Sequence, residues 1–219
     1  MGAMDRRANV RDTYDRIAAH FASTREYAWP EVESFVDSYG DSEFDVALDL
    51  GCGNARHAAL LAEHATRVLG VDVSRGLLET AADRSREREF TVELVQADAS
   101  TLPVRSGAVD IAVYVATLHH LPTRELRLAS LNALADVLVS DGVALVSAWS
   151  TAHDAFEETT GFDTTVEWTL PGGETVDRFY HIYDSQEFTA DLEASSLETV
   201  SFELSSGNCY AVVRPNSSR

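Results

Sequence analysis

The stretch Phe44-Asp45-Val46-Ala47-Leu48-Asp49-Leu50-Gly51-Cys52-Gly53-Asn54-Ala55-Arg56 decides how the rest of the chain is read. Phe44 to Leu50 is apolar-rich and stops at a turn on Gly51, which reads as a strand delivering its carboxyl end to a loop. Gly51 and Gly53 let backbone approach a ligand closely at the carboxyl edge of an open α/β sheet. A dinucleotide fingerprint would place a third glycine at position 56, where Arg56 stands. Here an acid, Asp49, precedes the first glycine, and both departures speak against NAD or FAD. Nineteen residues beyond Gly53, Asp72 closes a second apolar run, where a carboxylate can accept hydrogen bonds from both ribose hydroxyls. Asp98, in Gln96-Ala97-Asp98-Ala99 after a third run, is placed to reach an adenine amino group. Helix capping accounts for one such acid, with Ser74 competing for that role beside Asp72, but not for the three sites together.

Outward from this motif, Arg67 to Val73, Thr91 to Gln96, Val109 to Ala116 and Val143 to Ala148 read as further strands. Arg56 to His64, Gly76 to Arg86 and Arg124 to Val139 carry helical patterning between them. Alternating strand and helix predicts an α/β fold with a doubly wound, mostly parallel sheet. Ahead of it lies a helical N-terminal preface, Asn9 to Phe21 and the segment from Trp29-Pro30 through Val36. The last third differs: Phe179 to Tyr183, Thr199 to Leu204 and Tyr210 to Val213 read as strands around one helix, Asp184 to Ser195, predicting an antiparallel C-terminal edge. With no repeat and no long linker, residues 1–219 read as one unit: a preface over 1–43, a cofactor-binding core over 44–150 and a substrate-side part over 151–219.

Apolar residues make up 45% and charged residues 24% of the 219, which are globular proportions. The formal charge of −19 at pH 7 excludes a basic nucleic-acid-binding domain. All 17 cations are Arg, with no Lys at all. A large acidic excess repels itself, and at about 1 M salt the Debye length falls to roughly 3 Å and screens that repulsion, so the composition points to a halophilic, high-salt cytoplasm. Residues 151–204 hold 13 acids against the single Arg178, whereas residues 1–25 hold five Arg against three Asp. Arg6, Arg7, Arg11, Arg16 and Arg25, with Arg124 and Arg127, are therefore the expected basic patch. Cys52 and Cys209 are too few for a disulfide framework or for a zinc site made by this chain, and no metal is expected. Met1 to Arg7 is polar rather than an apolar leader and no run of 18 apolar residues occurs, so no membrane span and a cytoplasmic location are expected.

The order and spacing of Asp49, Gly51, Gly53, Asp72 and Asp98 resemble the Rossmann-like class I S-adenosylmethionine-dependent methyltransferases over about residues 44–150. That resemblance implies S-adenosylmethionine as cofactor, with Asp49, Gly51 and Gly53 near the methionine moiety, Asp72 on ribose and Asp98 near adenine. The flanks are similar to one branch, the tRNA wobble-uridine carboxymethyl methyltransferases. The matching pieces are Tyr14 to Phe21, Thr24-Arg25 with Trp29-Pro30, Leu118-His119-His120, Trp168 with Leu170-Pro171, Arg178 to Tyr183 and Asn208 to Val213. Two departures stand out. Only Gly172 to Asp177 separate the Trp168 and Arg178 elements, where family members often carry an insert, and Cys209 stands where an aromatic is usual.

The branch implies methyl esterification of 5-carboxymethyluridine at the wobble position of tRNA. A carboxylate with a pKa near 4 is already ionised and needs no general base, so positioning dominates. Arg25 and Arg178 are the candidates for holding one carboxylate oxygen, and His119 is the candidate beside the transferred methyl. Tyr14 is expected over the methionine end of the cofactor, and Trp29, His120, Tyr180 and His181 around the uridine. The resemblance also implies a heterodimer with a small activator protein carrying a zinc ribbon. A small-molecule carboxyl or quinone-type methyltransferase shares the cofactor residues and is the alternative. A fold-retaining binding protein would have no need of Asp49, Gly51, Gly53 and Asp72.

Overall fold

A computed structural model describes the backbone of residues 3–39 and 42–216, with side chains described from Asn9 onward within the first helix. Helices α1 (Ala3–Ser23) and α2 (Pro30–Asp37) precede β1 (Phe44–Leu50). The sequence then alternates through α3 (Arg56–Leu61), β2 (Ala65–Asp72), α4 (Arg75–Glu87), β3 (Glu93–Gln96), β4 (Val109–Tyr114), α5 (Arg124–Val137) and β5 (Leu138–Trp149). A hairpin of β6 (Phe162–Thr169) and β7 (Thr175–Ile182), then α6 (Ser185–Ala194), β8 (Leu197–Ser205) and β9 (Asn208–Pro215), complete the described chain.

The seven-stranded sheet runs β3-β2-β1-β4-β5-β9-β8. β1 to β5 are mutually parallel, and β9 and β8 add antiparallel to β5. The chain winds outward from β1 to β3 and then returns to place β4 on the other side of β1. That reversal opens a crevice above the carboxyl ends of β1 and β4, where ligands bind in folds of this kind. One face of the sheet packs Leu48, Leu50, Tyr114 and Val146 against Leu131 and Leu134 of α5 and Phe188 of α6. The opposite face packs Ala47, Ile111, Val113 and Leu145 against α2, α3 and α4 through Val32, Phe35, Leu61 and Ala81. Adjacent residues of β1 and β4 thus face opposite cores, as a strand buried on both sides requires. No helix of the described residues is long and apolar enough to cross a membrane.

Two expectations need correction. Phe179 to Tyr183 does not add to the edge of the main sheet. Its strand begins at Thr175 and pairs with β6 in a separate two-stranded ribbon, joined to the main sheet's chain by an isolated bridge from Tyr183 to Ser150 and by Tyr180 packing on Trp149. The ribbon instead folds over the preface, where Trp168, Leu170 and Val176 pack against Tyr14, Ile17 and Leu77. The helix expected to reach Val139 ends at Val137, because β5 already starts at Leu138 and pairs with Val109.

Candidate active site

The crevice is built from the loop after β1 outward. Gly51 and Cys52 both donate their backbone N–H to Val71 O, at 2.7 and 3.0 Å, which turns the chain sharply across the end of β2. Gly51 has φ +74, and a Cβ there would run into the Thr117 side chain, so only glycine fits. Gly53 has φ +53 and faces open space, with Phe21 Cε1 the one atom within 4 Å of its missing Cβ, at 3.9 Å. Asp72 spans the loop and the start of α4: Gly53 N donates to one carboxylate oxygen at 2.9 Å and Ser74 N to the other at 2.8 Å. Ser74 is the N-cap of α4, so capping and the Asp72 contact are separate jobs. Asp49, only 1% exposed, accepts from Ala58 N of α3 at 2.9 Å. Burial pushes Asp49 up to about 7, against the Ala58 N–H and the nearby Arg56 cation. Burial also pushes Asp72 up to about 6, against the Ser74 and Gly53 N–H groups. Each oxygen keeps lone pairs for a ligand. Asp98 lines the same crevice and accepts from Ser100 N at 2.8 Å and Ser100 Oγ at 2.5 Å.

The other wall comes from α1 and the Leu118–His120 turn, with β7 packed behind them. Phe179 O can only accept, so His120 Nδ1 donates to it at 2.9 Å, and His120 Nε2 accepts from the Tyr14 hydroxyl at 2.9 Å. Burial holds His120 down at about 4, so it is neutral. His119 is 3% exposed; its Nδ1 accepts from Trp149 N at 2.9 Å and its ring lies 4.8 Å from that of Tyr180. Burial lowers His119 well below the ordinary imidazole value. Of the pair, it is therefore His120 that lines the crevice, with His119 packed behind it.

Arg178, 7% exposed, donates to the Tyr180 hydroxyl at 2.8 Å and lies 4.9 Å over the Trp168 ring. Its Nε is buried with no partner, and among the described residues no carboxylate pairs with it. Arg25 reaches the same indole, 5.7 Å from its centre. Two guanidinium groups thus share Trp168, which packs on the crevice residue Phe21; Arg25, Trp29, Arg178 and Tyr180 lie behind the lining residues rather than among them. Trp29 sits on the α2 side, with the Arg56 guanidinium 5.0 Å over its ring and His57 6.3 Å away, and both of those residues line the crevice.

His181 is turned away. Side chains alternate along β7, so the face carrying Arg178 and Tyr180 excludes it. Its two ring nitrogens each lie 2.9 Å from a carboxylate, Asp163 and Glu187. The expected basic patch is also dispersed. Arg11 pairs with Asp12, Arg16 with Glu174, Arg124 with Asp191 and buried Arg127 with Glu187 and Asp191. The side chains of Arg6 and Arg7 lie outside the described residues.

Three positioning residues had escaped the sequence. Asp15 of α1 accepts from Ser74 Oγ at 2.6 Å and Gly76 N at 2.9 Å, docking the preface on α4. Asn54 donates to Ala22 O at 3.2 Å and Arg25 O at 2.8 Å, tying the segment that carries Arg25 to the glycine loop. Thr117 closes over Gly51. Their signal was adjacency to recognised motifs, and their partners are far away in sequence.

Residues 47–142 match the family described as a methyltransferase domain. The chain has the fold of the class I methyltransferases. The 1,6-didemethyltoxoflavin N1-methyltransferase of Burkholderia thailandensis superposes with a TM-score of 0.76 over 99% of this chain and 92% of that one, at 18% identity. A tRNA (carboxymethyluridine(34)-5-O)-methyltransferase of Mus musculus is 34% identical over 65% of this chain and 20% of its own length. Its Saccharomyces cerevisiae counterpart by name is 30% identical over 74% of this chain and 57% of its own length. The chain thus spans a fifth of the mouse relative and little more than half of the yeast one. S-adenosylmethionine is the cofactor of such a methyltransferase domain, and the donor set fits it. Asp49 is a buried acid that forms no salt bridge among the described residues, which suits an ammonium; Asp72 suits a ribose diol; Gly53 leaves the backbone open; and Leu77, Ala97, Ala99 and Leu121 supply apolar walls.

Proposed function

We propose that this methyltransferase esterifies the carboxylate of 5-carboxymethyluridine at the wobble position of tRNA. The observation that carries the reading is Arg178: a buried cation that lacks a carboxylate partner among the described residues, beside the crevice residues Tyr14 and His120. Burying an unpaired charge is costly, and a substrate carboxylate would relieve that cost. When bound, S-adenosylmethionine supplies an electrophilic methyl group; Asp49, Gly51, Gly53, Asp72 and Asp98 would hold it.

The remaining roles belong to the chain. Arg178, with Arg25, takes one carboxylate oxygen and leaves the other to react. Tyr14 and His120, locked in one hydrogen-bonded arrangement, shape the wall beside it and exclude water. His119 supports Tyr180 from behind, as a positioning residue. Trp29, on the Arg56 side, flanks the base. Neither imidazole is a competent base near neutral pH, since burial holds both low. A quinol or phenol acceptor with a pKa near 10 would need a base, whereas a carboxylate does not. The printed names of the mouse and yeast relatives support the wobble uridine as its carrier. Resemblance to that branch further supports a small zinc-ribbon activator as partner, and the acidic, Lys-free composition supports a high-salt cytoplasmic setting.

The test is incubation with methyl-labelled S-adenosylmethionine and tRNA lacking the wobble ester, at high salt, with and without a zinc-ribbon partner. Label in a base-labile uridine ester is the expected result. Cofactor binding with no labelled nucleoside, partner included, overturns the reading in favour of a small-molecule acceptor.

A further inference from the structure

Tyr27 is 75% exposed, the most exposed large apolar side chain among the described residues. An exposed aromatic on a slack loop would mean little, but this loop is pinned at the two residues before Tyr27. Asn54 donates to Arg25 O at 2.8 Å, Arg84 donates to Glu26 O, and Arg88 pairs with the Glu26 carboxylate. Two residues before Tyr27, Arg25 lies over Trp168; two residues after it, Trp29 stacks under Arg56 on the crevice wall. Tyr27 therefore lies in the chain between two residues, Arg25 and Trp29, whose side chains pack on the crevice residues Phe21 and Arg56.

Its surroundings gather the cations Arg25, Arg56, Arg84 and Arg88 around the acids Glu26 and Glu87. Arg56 has His57 Nε2, at 3.2 Å, as its hydrogen-bond partner, and no carboxylate pairs with Arg25 or Arg56 among the described residues. Asn54 ties Arg25 to the loop that leads into Arg56, and Arg84 holds the carbonyl of Glu26, the residue after Arg25; burial first, then Arg25 and Arg84, lower Arg56 to about 10 against the pull of Asp49. In a chain of net charge −19, this cluster is out of keeping with the overall balance. A flat aromatic face beside grouped guanidinium groups is what an unpaired nucleotide strand recognises, bases on the ring and phosphates on the cations.

We propose that Tyr27 is a stacking platform for the nucleobase next to the one that enters the crevice, with Arg56 and Arg84 meeting the adjoining phosphates. The proposal rests on the tRNA reading above and specifies the substrate feature used: single-stranded anticodon loop. Stacking is insensitive to counterion release, so it retains its worth at salt concentrations that weaken phosphate contacts.

The experiment compares the wild type, Tyr27→Ala and Tyr27→Phe for equilibrium binding of an anticodon stem-loop carrying 5-carboxymethyluridine, at low and at molar salt. Tyr27→Ala should weaken stem-loop binding about tenfold at both salts, leave cofactor Kd and kcat at saturating stem-loop unchanged, and be rescued by Tyr27→Phe. Stem-loop binding by Tyr27→Ala within about twofold of wild type, or Tyr27→Phe as weak as Tyr27→Ala, overturns the platform. So does a wild type that does not bind the stem-loop. Tyr27-dependent binding without ester formation leaves the platform standing and refutes the esterification.

Discussion

Asp49 shows how much chemistry one buried side chain imposes. Its folded-state pKa of about 7 lies above the ordinary 3.8. A raised carboxyl pKa contributes stability that is full below about pH 4 and is lost as pH rises through about 7. A cationic ligand group pairing with the ionised acid reverses that loss, so cofactor binding expels a proton and affinity climbs between about pH 5 and 7 before levelling. Asp72, at about 6, adds in the same direction. Calorimetry near pH 6 in two buffers of different ionisation heat should report net proton release for wild type, and less for Asp49→Asn; identical heats would contradict it. Gly51 makes the second residue-scale prediction. Gly51→Ala adds left-handed strain to the collision with Thr117, costing about 2–4 kcal/mol, read as a lowered unfolding midpoint with lost cofactor binding. These residues were legible in sequence because a turn and a strand end are local constraints. Which histidine faces the crevice was not legible, since it depends on Phe179 O and Trp149 N taking opposite members of the pair.

At the scale of elements, the β6–β7 ribbon matters most, because it carries Trp168, Arg178 and Tyr180 to a site built by β1, β2 and β4. Its outer side is anchored by a charged network: His181 between Asp163 and Glu187, and Arg127 between Glu187 and Asp191, with the Tyr183 hydroxyl donating to Asp191 at 3.1 Å. Arg127→Leu leaves Asp191, 1% exposed, short of a partner and should cost about 3 kcal/mol in denaturant unfolding. A change under about 1 kcal/mol would show that Arg124 alone suffices. Asn54→Ala should loosen the Arg25 segment, raising the stem-loop KM with little change in cofactor Kd; a cofactor defect instead would place Asn54 on the ligand. The ribbon was half legible. Phe162 to Thr169 alternates half-buried and exposed residues and is followed by Pro171-Gly172-Gly173, a readable hairpin signal. Its acidic, Thr-rich composition hid the alternation, and only docking on α1 shows why Val166 and Trp168 face inward.

Across the whole molecule, two charge regimes coexist. The surplus of acids is spread over the surface, while Arg25, Arg56, Arg84 and Arg178 gather at the crevice and its rim. Self-repulsion of a −19 chain should fall as salt screens it, so the thermal unfolding midpoint should rise steadily as KCl increases from about 0.1 to 2 M. A flat or falling midpoint would remove the high-salt interpretation. The doubly wound, mostly parallel sheet and a ligand edge after its first strand followed from alternating strands and helices, whereas the strand order and the placement of cations did not. Arg11, Arg16, Arg124 and Arg127 look equivalent to Arg25 and Arg178 in sequence, and only the fold assigns the first four to carboxylate partners.

The central claim is that the crevice accepts an ionised carboxylate. It is tested most directly with three otherwise identical anticodon stem-loops bearing 5-carboxymethyluridine, its amide, or a 5-hydroxymethyl group. Each is incubated with methyl-labelled S-adenosylmethionine and analysed by nucleoside mass spectrometry. Label confined to the acid, and released by mild base, is the predicted result. Label on the amide or the hydroxyl, or an acid left unmethylated by a protein that binds cofactor with the zinc-ribbon partner present, would contradict it.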